Sequence, residues 1–473
     1  MQKSNLFKRS VVSRSIVESI VKATITATIL ASAQASAAGF QVNVQSASAL
    51  GNANAGFAAN TDNVAVIATN PAAAASFNKF AFSFGGAYID PTVETTGENT
   101  PLAPYYASFN NGFGTNYSGP SKSDYDVENS VNPATLPSVY AVLPVGNKLA
   151  IGLAGYTNYG TNTEFPDSYA AGLLGGSTHL TTFNLNPSLA IKLGSKIRLG
   201  IGAQIVYGSA ELERNLGDAA ALGAMQGISA AAQAGATPAQ LGGAIAANNA
   251  QLSGLAGGSQ AFIMEGDDFG FGWNAGLLFD LSDNHKIGVS YRSEVELSFE
   301  GEYSNYQGAN LEGQLDLSLP AMAELGGYHR FGNIALQYGV VWTEWSSFDG
   351  LRGLLAQNND VVLFEKGYNY EDNIRYSTAL SYYLGNKVIL RAGYALDEAA
   401  GDTTISIPDS ERQWYTAGLT FKISKTLSLD LAAAYIVGKD TSFTETDTNT
   451  GLTYVFTNKA EAVVGSAQVN LVF

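Results

Sequence analysis

From about residue 79 to Phe473, apolar and polar side chains alternate through a series of strand-length segments. A period of two is the pattern a β-strand imposes when its two faces meet different surroundings. About fourteen segments follow it, near 79–89, 136–144, 148–160, 181–193, 196–213, 267–281, 285–303, 313–331, 333–347, 370–384, 387–398, 409–424, 426–439 and 459–473. The last shows it best. Ala467, Val469, Leu471 and Phe473 fall on one face, Ser466, Gln468 and Asn470 on the other.

Two kinds of connection alternate between these segments. Tight turns read Pro144-Val145-Gly146-Asn147, Gly194-Ser195, Ser282-Asp283-Asn284, Phe331-Gly332-Asn333, Gly385-Asn386 and Ser424-Lys425. Long polar stretches cover roughly 90–135, 160–180, 214–266, 347–369 and 438–460. Bacterial outer-membrane barrels keep their periplasmic turns short and their extracellular loops long, and have an even strand number. The pattern therefore predicts an all-β membrane protein of the bacterial outer membrane, an about 14-stranded antiparallel barrel spanning residues 79–473. The Ala467 face is expected to meet lipid and the Gln468 face the lumen.

The N-terminus agrees. Lys3, Lys8, Arg9, Arg14 and Lys22 precede an apolar run from about Ala23 to Ala33, and Ala35-Ser36-Ala37 fits a small-x-small cleavage site. Residues 1–37 read as a signal peptide, since the run is shorter than the ~20 residues a spanning helix needs. Removing it leaves 20 basic against 40 acidic residues, a balance of −20. That excess argues against a nucleic-acid partner and suits loops facing divalent cations and lipopolysaccharide. Cysteine is absent, so disulfides and thiolate metal sites are excluded, and no cofactor is expected.

Two segments depart from the strand pattern. Residues 38–78 are rich in Gly, Ala and Asn, contain Asn70-Pro71-Ala72, and carry Val64, Val66, Ile67 and Phe77. These apolar residues favour a hatch folded inside the barrel over a disordered leader. Residues 217–258 are Ala-rich, and Thr237-Pro238 reads as an N-cap followed by proline at the first helical position. A helical extracellular loop follows. Its Leu222, Met225, Ile228, Leu241, Ile245, Leu252 and Leu255 would form an apolar surface far from the membrane, suited either to ligand capture or to loop packing.

With these parts in place the chain resembles the FadL family of outer-membrane transporters for long-chain fatty acids. The resemblance runs through Ala38-Gly39-Phe40-Gln41, Asn70-Pro71-Ala72, Tyr88-Ile89-Asp90-Pro91, Phe271-Gly272-Trp273-Asn274-Ala275-Gly276 and Tyr291-Arg292-Ser293-Glu294-Val295. Its strongest block is Ser406-Ile407-Pro408-Asp409 with Arg412 and Trp414. It implies a hatch carrying Ala38, Gly39, Phe40, Asn70, Pro71 and Ala72, with the first residues, to about Ser46, forming a pocket wall that rearranges when ligand arrives. It also implies capture among extracellular loops, a deeper lumenal pocket, and sideways exit where the third strand kinks inward, here Thr157-Asn158-Tyr159-Gly160. Residues Leu222, Met225, Ile228, Leu241 and Ile245 become capture residues, and Arg214 and Lys366 the holders of the ligand carboxylate. Read without the resemblance, Arg214 shares the parity of Gln204, yet each cation could equally be a loop charge paired with Glu213 or Glu365. The connection near 303–313 is shorter than the family often shows.

Passive uptake of long-chain fatty acids is the function so implied. The alternative is a channel for uncharged hydrophobic compounds such as monoaromatic hydrocarbons, which would not need the two cations. An enzyme reading requires His beside Ser and an orienting acid, and His179, His285 and His329 lie at strand ends unsuited to it. Further expected partners are outer-membrane lipid and, through the terminal aromatic Phe473, the outer-membrane barrel assembly machinery.

Overall fold

A computed structural model describes residues 39–473; the segment 1–37 expected to be a signal peptide, and Ala38, lie outside the described residues. Fourteen strands form one closed antiparallel barrel. They are β1 (Ala81–Gly97), β2 (Ala134–Val145), β3 (Leu149–Tyr156, then Gly160–Glu164), β4 (Ser177–Leu193) and β5 (Ile197–Asn215). Next come β6 (Gln260–Ser282), β7 (His285–Arg292, then Val295–Asn305), β8 (Asn310–Leu319, then Met322–Phe331) and β9 (Ile334–Thr343, then Gly350–Leu355). The circle is completed by β10 (Asn358–Gly367, then Asn373–Leu384), β11 (Val388–Asp397), β12 (Arg412–Lys422), β13 (Leu427–Gly438, then Thr441–Thr446) and β14 (Thr453–Val472). Pairing of β1 with β14, from Ala81 opposite Val472 to Gly97 opposite Phe456, leaves no open edge. Closure matters because backbone groups in hydrocarbon must find partners within the protein.

The outer face is apolar. Tyr382 lies opposite Leu390, Leu390 opposite Leu419, Leu419 opposite Leu431, and Leu431 opposite Ala467. In β14, Val469 is 39% exposed, whereas Gln468 and Asn470 are buried toward the lumen, as the alternation predicts. A band of this kind is the lipid-facing belt of a membrane barrel.

Several boundaries differ from expectation. Strand β1 continues to Gly97 instead of ending near 89, and β14 begins at Thr453, before 459. The expected long connection 347–369 is instead the outer segments of β9 and β10, and β7 joins β8 through residues 306–309 alone. Above the membrane the outer face meets water, so the apolar–polar alternation fades while the hydrogen-bonded ladder goes on.

The hatch fills the lower lumen. It contains α1 (Ala47–Leu50) and two 3-10 turns, Val64–Ala68 and Pro71–Ser76. Val64, Val66 and Ile67 are buried and Phe77 packs beside them, so the apolar contacts read from the sequence are made. Asn70 caps the second turn by accepting from the Ala72 N–H at 3.0 Å, and its Nδ2 donates to the carbonyls of Ala58 (2.8 Å) and Leu277 (3.1 Å). One side chain thereby ties the turn to the hatch and to β6. Further from it, Asn52 donates to Gln337, which donates to Ser381.

The extracellular side is a packed cap. It includes α2 (Ala103–Phe113), α3 (Asp218–Gln233), α4 (Pro238–Ala247) and α5 (Asn249–Leu252). Thr237 caps α4 in a box with Gln240, as its sequence predicts. The expected exposed apolar surface is not present there. Leu222, Met225, Ile228 and Leu252 are buried against Tyr106, Phe109, Tyr169 and Tyr454 from other connections, Leu241 and Ile245 are half-buried, and only Leu255 stands out in water. Connections widely separated in sequence supply the covering rings, which is why the loop alone looked uncovered.

Candidate functional site

Six strands are interrupted, at 157–159, 293–294, 320–321, 344–349, 368–372 and 439–440. At four of them the break carries buried side chains: Thr157, Asn158 and Tyr159, then Ala321, then Trp345 and Phe348, then Tyr368 and Tyr370. The tip of the hatch meets them: Phe40 sits in a cage of Trp345 (ring centroids 4.8 Å apart), Phe348 (5.1 Å) and Tyr159 (6.0 Å). Gly39 is close-packed there, since a Cβ on it would lie 2.7 Å from the Trp345 ring. Around the cage, Val206, Met264, Leu297, Phe299, Leu317 and Tyr368 extend a continuous apolar lumen.

The inward course of β3 is held by the hatch. Val42 N–H donates to the Asn158 carbonyl at 2.6 Å and Gly160 N–H to the Phe40 carbonyl at 2.7 Å. The Thr157 hydroxyl donates to the Thr182 carbonyl and the Tyr159 hydroxyl to the Pro320 carbonyl, each well inside hydrogen-bonding distance. The β2–β3 ladder runs from Val145 opposite Leu149 to Val139 opposite Gly155, then stops. It resumes at Asn132, whose N–H donates to the Asn162 carbonyl at 3.1 Å, and at the Val131–Thr163 bridge. Residues 134–138 of β2 therefore have no ladder partner on β3, and all four residues of the kink motif (Thr157, Asn158, Tyr159 and Gly160) are buried. A small cavity of about 10 Å³, lined by Asn158, Tyr159, Asn184, Gln204, Val206 and Leu319 among others, adjoins the kink.

Two cations close the apolar lumen toward the cap. Arg214 is fully buried on the same face as Gln204. Its Nη1 donates to the carbonyls of Ser177 (2.8 Å) and Glu213 (2.7 Å), its Nη2 to Thr178 Oγ1 (3.1 Å), and its buried Nε has no partner. Lys366 Nζ lies 2.5 Å from Glu445 Oε1 and donates to Ser406 Oγ at 2.8 Å. Neither cation pairs as neighbour logic suggested: Glu213 offers Arg214 only its carbonyl, and Glu365 turns to Arg352. Ser406 also meets the Tyr368 hydroxyl at 3.0 Å.

The block Ser406–Trp414 binds these parts together. Ser406 touches Lys366, Ile407 joins the apolar lumen, and Asp409 pairs with Arg412 and accepts from the Gly39 N–H. Sequence reading missed Trp345, Phe348, Tyr368 and Tyr370. The available signal was the broken alternation at Trp345-Ser346-Ser347-Phe348 and at Tyr368-Asn369-Tyr370, where Asn369 has φ +50°. His285 and His329 face each other at the periplasmic rim (Nδ1 to Nδ1 3.3 Å), and His179 lies 3.6 Å from Glu211 at the other end. No triad is assembled among the described residues.

A closed outer-membrane barrel with a hatch in its lumen, a buried apolar cluster above it and a break in its wall defines a class of transport proteins. The family model described as "Outer membrane protein transport protein (OMPP1/FadL/TodX)" matches residues 28–473, and the chain belongs to that family. A long-chain fatty acid transport protein of Escherichia coli O6:H1 is 33% identical over 459 residues, covering 92% of this chain and 95% of that one. Among solved structures, a FadL homologue of Pseudomonas aeruginosa superposes with a TM-score of 0.74 at 20% identity, over 92% of this chain and 99% of that one. The Pseudomonas putida toluene transporter TodX gives 0.62 at 18% identity, over 92% and 100%. The protein is thus a multi-pass outer-membrane transport protein of a Gram-negative bacterium.

Proposed function

We propose that the protein takes up long-chain fatty acids passively across the outer membrane. The observation that carries this reading is a buried apolar lumen closed by two cations, one of which keeps an unsatisfied N–H in its interior. A sixteen-carbon tail buried at ~0.8 kcal/mol per methylene could gain on the order of 10 kcal/mol, less the cost of ordering the chain. The carboxylate needs donors, because an unpaired buried charge is very costly. Arg214 and Lys366 are the donors in this reading. Capture begins at the rim of the cap, where Leu241 and Ile245 of α4 are half-buried, with Leu222, Met225 and Ile228 accessible only when α3 loosens.

Ligand then settles beside Gly39 and Phe40, displaces the hatch tip, and leaves sideways through the unpaired stretch of β2 and β3. Asn70, Pro71 and Ala72 keep the rest of the hatch in place. Acidic loops meet lipopolysaccharide through divalent cations, and Phe473, stacked on Phe80, is read by the barrel assembly machinery.

Direct binding of a labelled long-chain fatty acid to detergent-purified protein, with toluene as competitor, tests this. Saturable binding that the Arg214→Ala/Lys366→Ala double variant loses, and toluene leaves intact, is the expected result. The second reading, uptake of uncharged hydrophobic compounds, is favoured by the Glu445 carboxylate already seated on Lys366. Binding that ignores both substitutions and yields to toluene would establish it.

A further inference from the structure

The cation pair is not empty. Glu445, from the outer segment of β13, reaches Lys366 on β10, and both side chains are nearly buried (10% and 13% exposed). Its second oxygen accepts from the Ile405 N–H at 3.1 Å, so the carboxylate spans two donors much as a ligand headgroup would. Arg214 stands within electrostatic reach of the same carboxylate. A second donor of Lys366 goes to Ser406, which with Tyr368 and Thr404 completes a small polar ring.

We infer that Glu445 is an internal competitor for the ligand carboxylate, and that a fatty acid binds at Lys366 by exchange with it. This rests on the proposed uptake of fatty acids and names a residue that sets selectivity at that site. The physical ground is charge bookkeeping in a dry place. Two cations and one carboxylate leave a single positive charge, which draws an anionic ligand in. Lys366, however, has a compact ammonium with three donors, two of which already face Glu445 and Ser406, and its charge is already matched by the Glu445 carboxylate. A ligand carboxylate takes the ion-pair position on Lys366 only when Glu445 withdraws, and β13 ends one residue later, at Thr446, beside a turn whose residues 448–451 reach the surface.

Two consequences follow. A bound headgroup must replace an existing ion pair, so weakly held or uncharged tails do not open the site by this route. Release of Ile405 also frees the loop whose Asp409 holds the Gly39 N–H, which links headgroup arrival to the hatch tip.

The test compares fatty-acid and fatty-alcohol binding of the same chain length in wild type, Glu445→Gln, Lys366→Met and the double variant, all purified as folded barrels judged by heat-modifiable gel mobility. Glutamine keeps an acceptor for the Ile405 N–H and loses the charge. The expected result is an about tenfold or greater gain in fatty-acid affinity for Glu445→Gln, as removal of a competing charged hydrogen bond implies. Alcohol affinity stays put, and the gain disappears when Lys366→Met is added. Unchanged or weakened fatty-acid binding in Glu445→Gln overturns the inference while leaving uptake intact. So does a gain that persists without Lys366, which would mean the ligand meets Arg214 alone. Absence of fatty-acid binding in both wild type and Glu445→Gln overturns the functional reading as well.

Discussion

The Phe40 ring meets the Trp345 ring edge to face, with centroids 4.8 Å apart and planes at 82°, and so fastens the Gly39–Phe40 turn of the hatch to the break in β9. Edge-to-face contact is a favoured geometry for aromatic pairs. Loss of a buried Phe typically costs about 3–5 kcal/mol. In Phe40→Ala the loss falls on the hatch tip, because the barrel ladders do not use this ring. Hydrogen exchange should report loss of protection at Val42 and Gly160, with β14 amides unchanged. Intact protection at Val42 would mean the tip is held by something else.

The hatch approaches the wall most closely at glycines. A Cβ on Gly276 would collide with the Asn70 side chain, and one on Gly200 with the Pro71–Ala72 backbone. Either Gly→Ala change should push Asn70-Pro71-Ala72 off β5 and β6, breaking hydrogen bonds worth about 1 kcal/mol each. Small-solute leak through reconstituted barrels should rise, together with protease sensitivity near Asn70. A tight, protease-resistant hatch in both variants would refute this account of its anchoring.

Ser138 lies in the part of β2 that lacks a β3 partner, on the lumenal face. Ser138→Trp puts bulk into the proposed exit. Initial uptake by cells should fall about tenfold or more, as a barrier raised by ~1.4 kcal/mol requires, while fatty-acid binding to purified protein persists. Unaltered uptake would place the exit elsewhere.

Asp218 opens α3 inside the cap. Burial pushes its carboxyl up to about 7, and the Tyr125 hydroxyl, donating at 2.8 Å, only partly offsets that. The folded group therefore holds its proton more tightly than the unfolded one, whose value is near ~3.9. Its contribution to cap stability is full below about 4, declines as pH rises toward about 7, and is lost above that. Exchange protection of α3 should be lower at pH 8 than at pH 5. Asp218→Asn, which keeps an acceptor for Tyr125, should flatten that difference; a pH dependence that survives the substitution would assign it to another group.

Much of the barrel was legible because lipid and lumen impose opposite polarity on successive residues. All fourteen strands could be placed from that contrast, and Asn70 and Thr237 announced their caps through local chemistry. The ends of β1 and β14 differ from expectation because above the membrane the outer face meets water and need not be apolar, so the sequence contrast fades although the inner face stays buried. The cap was misread for a related reason. Leu222 and Met225 looked uncovered until Tyr106, Phe109 and Tyr454 arrived from connections hundreds of residues apart or more than one hundred away. Arg214 was assigned to the lumenal face by parity with Gln204 alone.

The sequence by itself determined the architecture, since strand period, turn length and a lone non-strand leader depend on neighbours a few residues apart. It determined the two cations as residues worth watching, but not their surroundings. Only the tertiary structure decided that Glu445 reaches Lys366, that Phe40 enters a cage of Tyr159, Trp345 and Phe348, and that β3 turns to the hatch instead of to β2. Those contacts join segments that meet only when the barrel closes, and no local periodicity records which side chains closure brings face to face.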